Sequence, residues 1–338
     1  MPVDVIVGGQ GGDEGKGKIA EWLSMNNNYS ICARVSAPQA GHSIYYNGKR
    51  IGLALLPCGF VNPNTTLLIG RGALISVKKL LYEIGVTGID LWRLGIDYKT
   101  TIVSDEHLKE ERENSHLMGN IGSVGTGVGP CRRDKIMRKN LLFAEDIPEL
   151  KYYLTDTKDE ILDALDLGDK ILLEGDHGAK LDLIHGEYPY VTSRSVNASS
   201  LLGELGVGPK NVRDIYIVLK PYTTRVGPGP LEKEIFDEKI LKWAHEDGGE
   251  TGTVSKRLRR IGRFEWENVR EVIRMNSATR LAITHMDLPD FFWNSLGFGD
   301  ERGFIRIVQE ELCKNYPYPT IDLLSYGSEE KDVVAYNI

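Results

Sequence analysis

The stretch Gly8-Gly9-Gln10-Gly11-Gly12-Asp13-Glu14-Gly15-Lys16-Gly17-Lys18 carries the densest chemistry in the chain. A loop so rich in glycine can turn its backbone N–H groups onto an anion, and a helix starting behind it adds the favourable end of its dipole. Lys16 would bring a point charge to a phosphate. The spacing departs from the GxxxxGK[ST] phosphate loop: Gln10 stands at its first glycine and Gly17 at its Mg²⁺-binding hydroxyl. A metal here needs another ligand, and Asp13 inside the loop is the candidate. A flexible glycine turn is the bland alternative.

Five further clusters could act with it. Pro38-Gln39-Ala40-Gly41-His42-Ser43 offers an imidazole beside a glycine. Gly122-Ser123-Val124-Gly125-Thr126-Gly127-Val128-Gly129-Pro130, followed by the cations Arg132 to Lys139, suits a second phosphate cradle or a solvated basic helix. Glu174-Gly175-Asp176-His177-Gly178, leading on to Tyr188–Ser193, follows a strand, where open α/β sheets place ligands. Thr253-Val254-Ser255-Lys256-Arg257-Leu258-Arg259-Arg260 could clamp a dicarboxylate or phosphate, or lie on the surface as a charge run. Asp287 in Thr284-His285-Met286-Asp287 could accept N1–H and N2–H of a guanine.

Elements must hold these clusters in place. Apolar, β-branched runs predict buried strands at Val3–Val7, Tyr29–Val35, Thr66–Ile69, Lys170–Leu173, Asp214–Leu219 and Arg280–Thr284. Helical spacing predicts Lys18–Met25, Val77–Ile84, Ile147–Leu165, Ser199–Leu205 and Trp266–Met275. This alternation implies an α/β fold: one P-loop-like nucleotide-binding domain over residues 1–338, its mostly parallel central sheet flanked by helices, with a smaller elaboration at about 85–150. Hydrophobic residues at 41% and charged residues at 26% exclude a disordered or fibrous chain. The 41 Lys+Arg against 48 Asp+Glu, net −7, argue against nucleic acid as a partner. Cys32, Cys58, Cys131 and Cys313 lack CxxC spacing, which argues against a zinc site or a disulfide framework. No basic-then-apolar leader opens the chain and no apolar run reaches ~18 residues, so a soluble cytoplasmic location, with no membrane partner, is the expectation.

The clusters in this order resemble the adenylosuccinate synthetases over nearly the whole chain. The matching stretches are GGQGGDEGKGK, QAGHS, GSVGTGVGP with DKIMRK, EGDHG with YPYVTS, YTTRVGPGP and the SKRLRR loop. The resemblance implies a GTP-dependent ligase that joins L-aspartate to C6 of a 6-oxopurine nucleotide through a 6-phosphoryl intermediate. It implies Asp13 as the base on purine N1, His42 as the acid at O6 and Lys16 as the phosphate lysine, with Mg²⁺ on Asp13 and the Gly41 carbonyl. GTP would be bound by Gly12, Gly15, Lys16, Gly17, Gly41, Ser43, Asp287, Ser325 and Gly327. The acceptor nucleotide would meet Asp13, Gln39, Ser123, Val124, His177 and Thr192, and L-aspartate would meet Thr253, Val254, Ser255, Arg257 and Arg259. Arg138 matches an arginine that completes the neighbouring subunit's site, which implies a homodimer.

Departures from the family pattern gather around the acceptor. Gly11 replaces a Trp, Gln39 an Asn, Val124 a Thr, His177 a Gln and Lys256 a Gly. Pro38, Gly122-Ser123, the SKRLRR loop and Tyr188–Arg194 are similar to a viral branch that uses dGMP to make 2-amino-2′-deoxyadenylosuccinate for diaminopurine DNA. Asp13 and Asp287, which that branch commonly replaces, are retained here. The leading expectation is therefore dGMP, giving a cytoplasmic enzyme of a cell or of an infected host cell. IMP is the alternative, and a non-catalytic GTP-binding module or a plain P-loop NTPase are distant ones.

Overall fold

The computed structural model describes residues 1–314 and 317–336. Its centre is a ten-stranded sheet, ordered Val333–Ala335, Thr320–Ser325, Arg280–Ile283, Val212–Leu219, Val3–Gly8, Lys170–Glu174, Tyr29–Arg34, Thr66–Ile69, Leu94–Asp97 and Leu154–Thr155. Every neighbouring pair is parallel except the antiparallel edge strand Val333–Ala335. The central strands are apolar on both faces because helices cover both: Val3, Val5 and Ile6 are fully buried, as are Leu172, Leu173, Ile217 and Val218.

The apolar runs read from sequence form strands at nearly the expected bounds, and helices span Lys16–Asn26, Val77–Thr87, Ala198–Leu205 and Trp266–Asn276. The helix expected over Ile147–Leu165 is broken. Pro148–Tyr153 is a 3₁₀ turn, Leu154–Thr155 joins the sheet edge beside Ile96–Asp97, and an α-helix begins only at Thr157. Asp156 explains the break, since its side chain accepts from the Asp159 N–H and so caps a new helix start. The stretch about 85–150, expected as an elaboration, contributes Leu94–Asp97 to the central sheet.

The topology positions the site. Strands Val3–Gly8, Tyr29–Arg34, Lys170–Glu174, Val212–Leu219, Arg280–Ile283 and Thr320–Ser325 all end toward the same edge. The glycine loop, the AGH segment, EGDHG, YTTRV, THMD and the Gly327 turn leave from those C-terminal ends. That is where parallel sheets gather ligands. Two antiparallel hairpins complete the rim. Asn47 and Gly48, both at positive φ, turn His42–Tyr46 back as Lys49–Leu53. Tyr222–Arg225 pairs with Arg260–Arg263, which brings the basic loop over the glycine loop.

Candidate active site

A cavity of about 640 Å³ opens at this edge of the sheet. Gly12, Asp13, Gly15, Lys16, Gly17, Gln39, Gly41, His42, Ser43, Ser123, Val124, His177, Thr192, Thr253, Val254, Ser255, Arg257, Arg259, Asp287 and Gly327 all line it. Two of the expected residues do not. Ser325 is fully buried behind the wall, its hydroxyl donating to the Gly327 carbonyl at 3.4 Å. Arg138 is exposed, at positive φ just beyond the helix Val128–Ile136, outside the cavity of its own chain.

The glycine loop is held from below. Gln10, which takes the place of a phosphate-loop glycine, is buried; its amide donates to the carbonyls of Lys220 and Tyr222, both at 3.1 Å. Its Oε1 accepts from Lys220 N–H at 3.0 Å. Glu14 turns inward and accepts from the N–H groups of Gln10 (3.1 Å) and Gly12 (2.8 Å) and from Lys16 Nζ (2.6 Å). Burial works against its charge, but Lys16 outweighs it and holds the carboxyl below its usual range. Gly178 must be glycine: a Cβ would lie 2.2 Å from the Gly12 nitrogen. Gly17 is equally constrained, by the Cβ of His42 at 2.8 Å.

His42 is oriented by Glu174. Its Nδ1 lies 2.6 Å from Glu174 Oε1, while Nε2 has no partner among the described residues. Glu174 also accepts from Cys58 N–H at 2.6 Å and faces Arg34 Nη1 at 3.3 Å. Burial opposes the Glu174 charge, but Arg34 and His42 keep the carboxyl below its usual range. Burial, then Arg34, pulls His42 down to about 4. The imidazole is therefore neutral at physiological pH, with its proton on Nδ1 toward the carboxylate.

On the opposite wall, Arg259 Nη2 donates to Asp13 Oδ1 at 2.7 Å, and Nη1 donates to Glu250 at 2.5 Å. Arg257 donates to the carbonyls of Gly122 (2.9 Å) and Ser123 (3.4 Å), tying the basic loop to the second glycine loop. Ser43 and Thr253 share a hydroxyl contact of 2.9 Å, and Gln39 reaches Thr192 at 3.5 Å. His177, at positive φ, stands with Nδ1 3.1 Å from the buried Asp176. At the far end, burial raises the Asp287 carboxyl, and Lys18 partly offsets it. Lys18 itself donates to the Gly327 carbonyl.

Sequence reasoning assigned no role to Glu14, Arg34, Glu174 or Glu250, the buried charges behind the reactive ones. Glu174 opens the EGDHG stretch, so its place at a strand end is a usable signal; nothing local marks Arg34 or Glu250. For Mg²⁺, Asp13 and Gly41 both face the cavity and both offer oxygen, the donor atom this ion takes. A second donor cluster, His42, Cys58 and Glu174, brings its ligand atoms within 4.8 Å of one another. Its imidazole, thiol and neighbouring Arg34 suit Mg²⁺ poorly.

A family model described as adenylosuccinate synthetase matches residues 5–149 and 142–293. The adenylosuccinate synthetase of Methanococcus maripaludis strain C5 is 41% identical over 341 residues, covering 97% of each chain. That of Pyrococcus horikoshii is 42% identical over 293 residues, covering 86% of this chain and 85% of its own. Among solved structures, fully ligated adenylosuccinate synthetase from Plasmodium falciparum superposes with a TM-score of 0.87 at 25% identity, covering both chains completely. The cyanophage S-2L succinoaminodeoxyadenylate synthetase, bound to dGMP and dATP, superposes with a TM-score of 0.81 at 23% identity, covering 99% of this chain and 95% of its own, and shows a shared fold. The family uses GTP and Mg²⁺. On the matched family model, the ~40% identity and the shared fold, this chain belongs to the adenylosuccinate synthetase family and is a GTP-dependent C–N ligase acting on small molecules.

Proposed function

We propose that the acceptor is IMP and the product adenylosuccinate. The observation that carries this choice is the ~40% identity, along 86–97% of the chain, to archaeal proteins bearing that enzyme's name. Asp13 takes the proton from purine N1, and the electron pair moves to O6. O6 attacks the γ-phosphorus of GTP, a P–O bond forms, and the bond to the β-phosphate breaks to release GDP. The His42 imidazole, aligned by Glu174, presents Nε2 to O6; negative charge arriving there raises its affinity for a proton, and Nε2, on taking one up from solvent, donates it as a hydrogen bond to O6. Lys16 and the N–H groups at the start of helix Lys16–Asn26 hold the phosphates. Mg²⁺, held by Asp13 and the Gly41 carbonyl, would neutralise phosphate charge. The L-aspartate amine then forms the C6–N bond as the C6–O bond breaks, and the departing phosphate takes the proton the amine gives up, with Thr253, Val254, Ser255, Arg257 and Arg259 around the aspartate carboxylates. Asp287 reads the N1–H and N2–H edge of the donor guanine, with Gly327 and Ser325 behind it. Gln39, Ser123, Val124, His177 and Thr192 face the acceptor. Arg138 reaches the partner's acceptor phosphate in a homodimer, and a cytoplasmic location accompanies this reading.

The dGMP expectation is kept as the second reading, for one observation. At Gly11, where the family carries Trp, a Cβ would lie 2.5 Å from the Thr224 carbonyl oxygen, so this backbone leaves no room for any side chain. Gly11, Gln39, Val124 and His177, which all depart from the family pattern, line the same cavity. The test is product formation with GTP, Mg²⁺ and L-aspartate, offering IMP and dGMP separately. Turnover of IMP with little of dGMP is the expected result. Turnover of dGMP alone would overturn the acceptor assignment.

A further inference from the structure

Glu250 lies at the base of the basic loop and has no solvent exposure. Its Oε1 accepts from Lys220 Nζ at 2.7 Å and from Tyr222 OH at 2.5 Å. Its Oε2 accepts from Arg259 Nη1 at 2.5 Å. The carboxylate is also fixed through its backbone: Glu250 N–H donates to Ala244 O at 2.8 Å, and Arg259 N–H donates to Glu250 O at 3.1 Å. Arg259 then reaches Asp13, while its buried Nε has no partner among the described residues. The row Lys220, Glu250, Arg259 and Asp13 alternates in sign and runs from the core to the cavity.

This row gives Arg259 two unlike edges. One is locked, because Lys220 and Tyr222 saturate Oε1 and prevent the carboxylate from rotating after the guanidinium. The other edge rests on Asp13, the group assigned to the purine proton, and the Nε–H is unspent. An amino-acid carboxylate entering beside the basic loop would compete with Asp13 for that free edge, and bidentate guanidinium–carboxylate pairing favours it.

We propose that Glu250 is the positioning residue of the aspartate site, the fixed pivot on which Arg259 exchanges Asp13 for the carboxylate of incoming L-aspartate. This rests on the ligase reading above. Without the Glu250 charge, Asp13 becomes the nearest counter-ion of Arg259 and holds it away from the substrate.

The experiment is steady-state kinetics of the full-length Glu250→Gln variant with GTP, Mg²⁺ and the acceptor that the parent uses. The KM for L-aspartate is expected to rise about tenfold or more, with the KM values for GTP and acceptor within about twofold. The double variant Lys220→Met/Glu250→Gln removes the unpaired buried ammonium. It is expected to regain thermal stability but not the aspartate KM. An unchanged aspartate KM in Glu250→Gln, or its recovery in the double variant, would reduce Glu250 to a buried ion-pair partner and overturn the proposal. A ligand-free crystal structure of Glu250→Gln reads the pivot without turnover. Arg259 is expected to leave its present position, and an unmoved guanidinium would also overturn the proposal. If the parent shows no aspartate-dependent turnover, the ligase reading fails, and the crystal structure still decides the pivot.

Discussion

Replacing Glu174 by Gln tests the role assigned to His42. The carboxylate is fully buried and serves three partners: His42 Nδ1 at 2.6 Å, Cys58 N–H at 2.6 Å and Arg34 Nη1 at 3.3 Å. The amide is nearly the same size, so the change removes charge and one acceptor rather than volume. A hydrogen bond to a charged group contributes about 1.5–3 kcal/mol. If that contribution is expressed in the transition state, kcat falls roughly 10- to 150-fold, at about 1.4 kcal/mol per tenfold. Stability falls too, because Arg34 loses its ion-pair partner and keeps, as hydrogen-bond acceptors among the described residues, the carbonyls of Leu56 (3.0 Å), Leu53 and Ala40 (both 3.4 Å). Breaking a buried pair on one side costs about 3–5 kcal/mol. The assay is kcat at saturating GTP, L-aspartate and acceptor, alongside a urea melt. The KM for L-aspartate should change far less than kcat, since the partners of Glu174 among the described residues are His42, Cys58 and Arg34 and none lies in the basic loop. Should Glu174→Gln not fold, Glu174→Asp keeps the charge for Arg34 and withdraws it from His42 by about one carbon–carbon bond; an intermediate kcat is expected. A folded Glu174→Gln protein with kcat within about twofold of the parent would refute the reasoning.

Asp287→Asn should raise the KM for GTP by about 10- to 100-fold, because the amide turns a donor toward guanine N1–H or N2–H; ATP should be affected far less, and equal effects on both would mean the guanine pocket lies elsewhere. Glu21 is pushed up to about 7 by burial and the neighbouring Glu330, so its stabilising contribution is present below pH ~4.5 and is lost as pH rises toward 7. Glu21→Gln should therefore match the parent near pH 4.5 and exceed it by up to about 3 kcal/mol near pH 8, measured by denaturant melts across pH; a gap that does not widen with pH refutes this. Gly178→Ala should cripple GTP binding or prevent folding, since the Gly12 nitrogen and Gln10 carbonyl it would strike are backbone atoms; normal GTP affinity in a folded variant is the contrary result. Chelation of divalent ions should abolish turnover and added Mg²⁺ restore it, followed by GDP release.

The strands and the glycine loop were legible because their signals are local. Val3–Val7 is a β-branched run interrupted only by Asp4, and the glycine loop runs straight into helical spacing expected from Lys18, where the structure starts the helix two residues earlier, at Lys16. Leu94–Asp97 was not legible: four residues following a charged turn carry no distinguishing period, and only the sheet beside them makes them a strand. The helix expected across Ile147–Leu165 failed for a related reason, since apolar spacing runs on through Asp156 while the cap there stops it. At the site, the reactive side chains could be chosen by type, but their supports could not. Glu250 sits in an ordinary Gly-Gly-Glu-Thr-Gly loop, and its burial depends on Lys220 and Tyr222, placed there by another strand end. Arg259 was legible as one cation among several. Its division between Glu250 and Asp13 spans 246 residues of chain and exists only once the basic hairpin folds over the glycine loop.

Gln10 has a consequence for how nucleotides are told apart. Three bonds to the Lys220–Tyr222 backbone secure the glycine loop before any ligand arrives. Ordering backbone costs about 1–2 kcal/mol per residue, and in this loop that entropy is lost when the protein folds rather than when a nucleotide binds. Every nucleotide therefore meets the same cradle, already set. Differences in affinity between one nucleotide and another then reflect the contacts each one makes, with no common ordering step to dilute them.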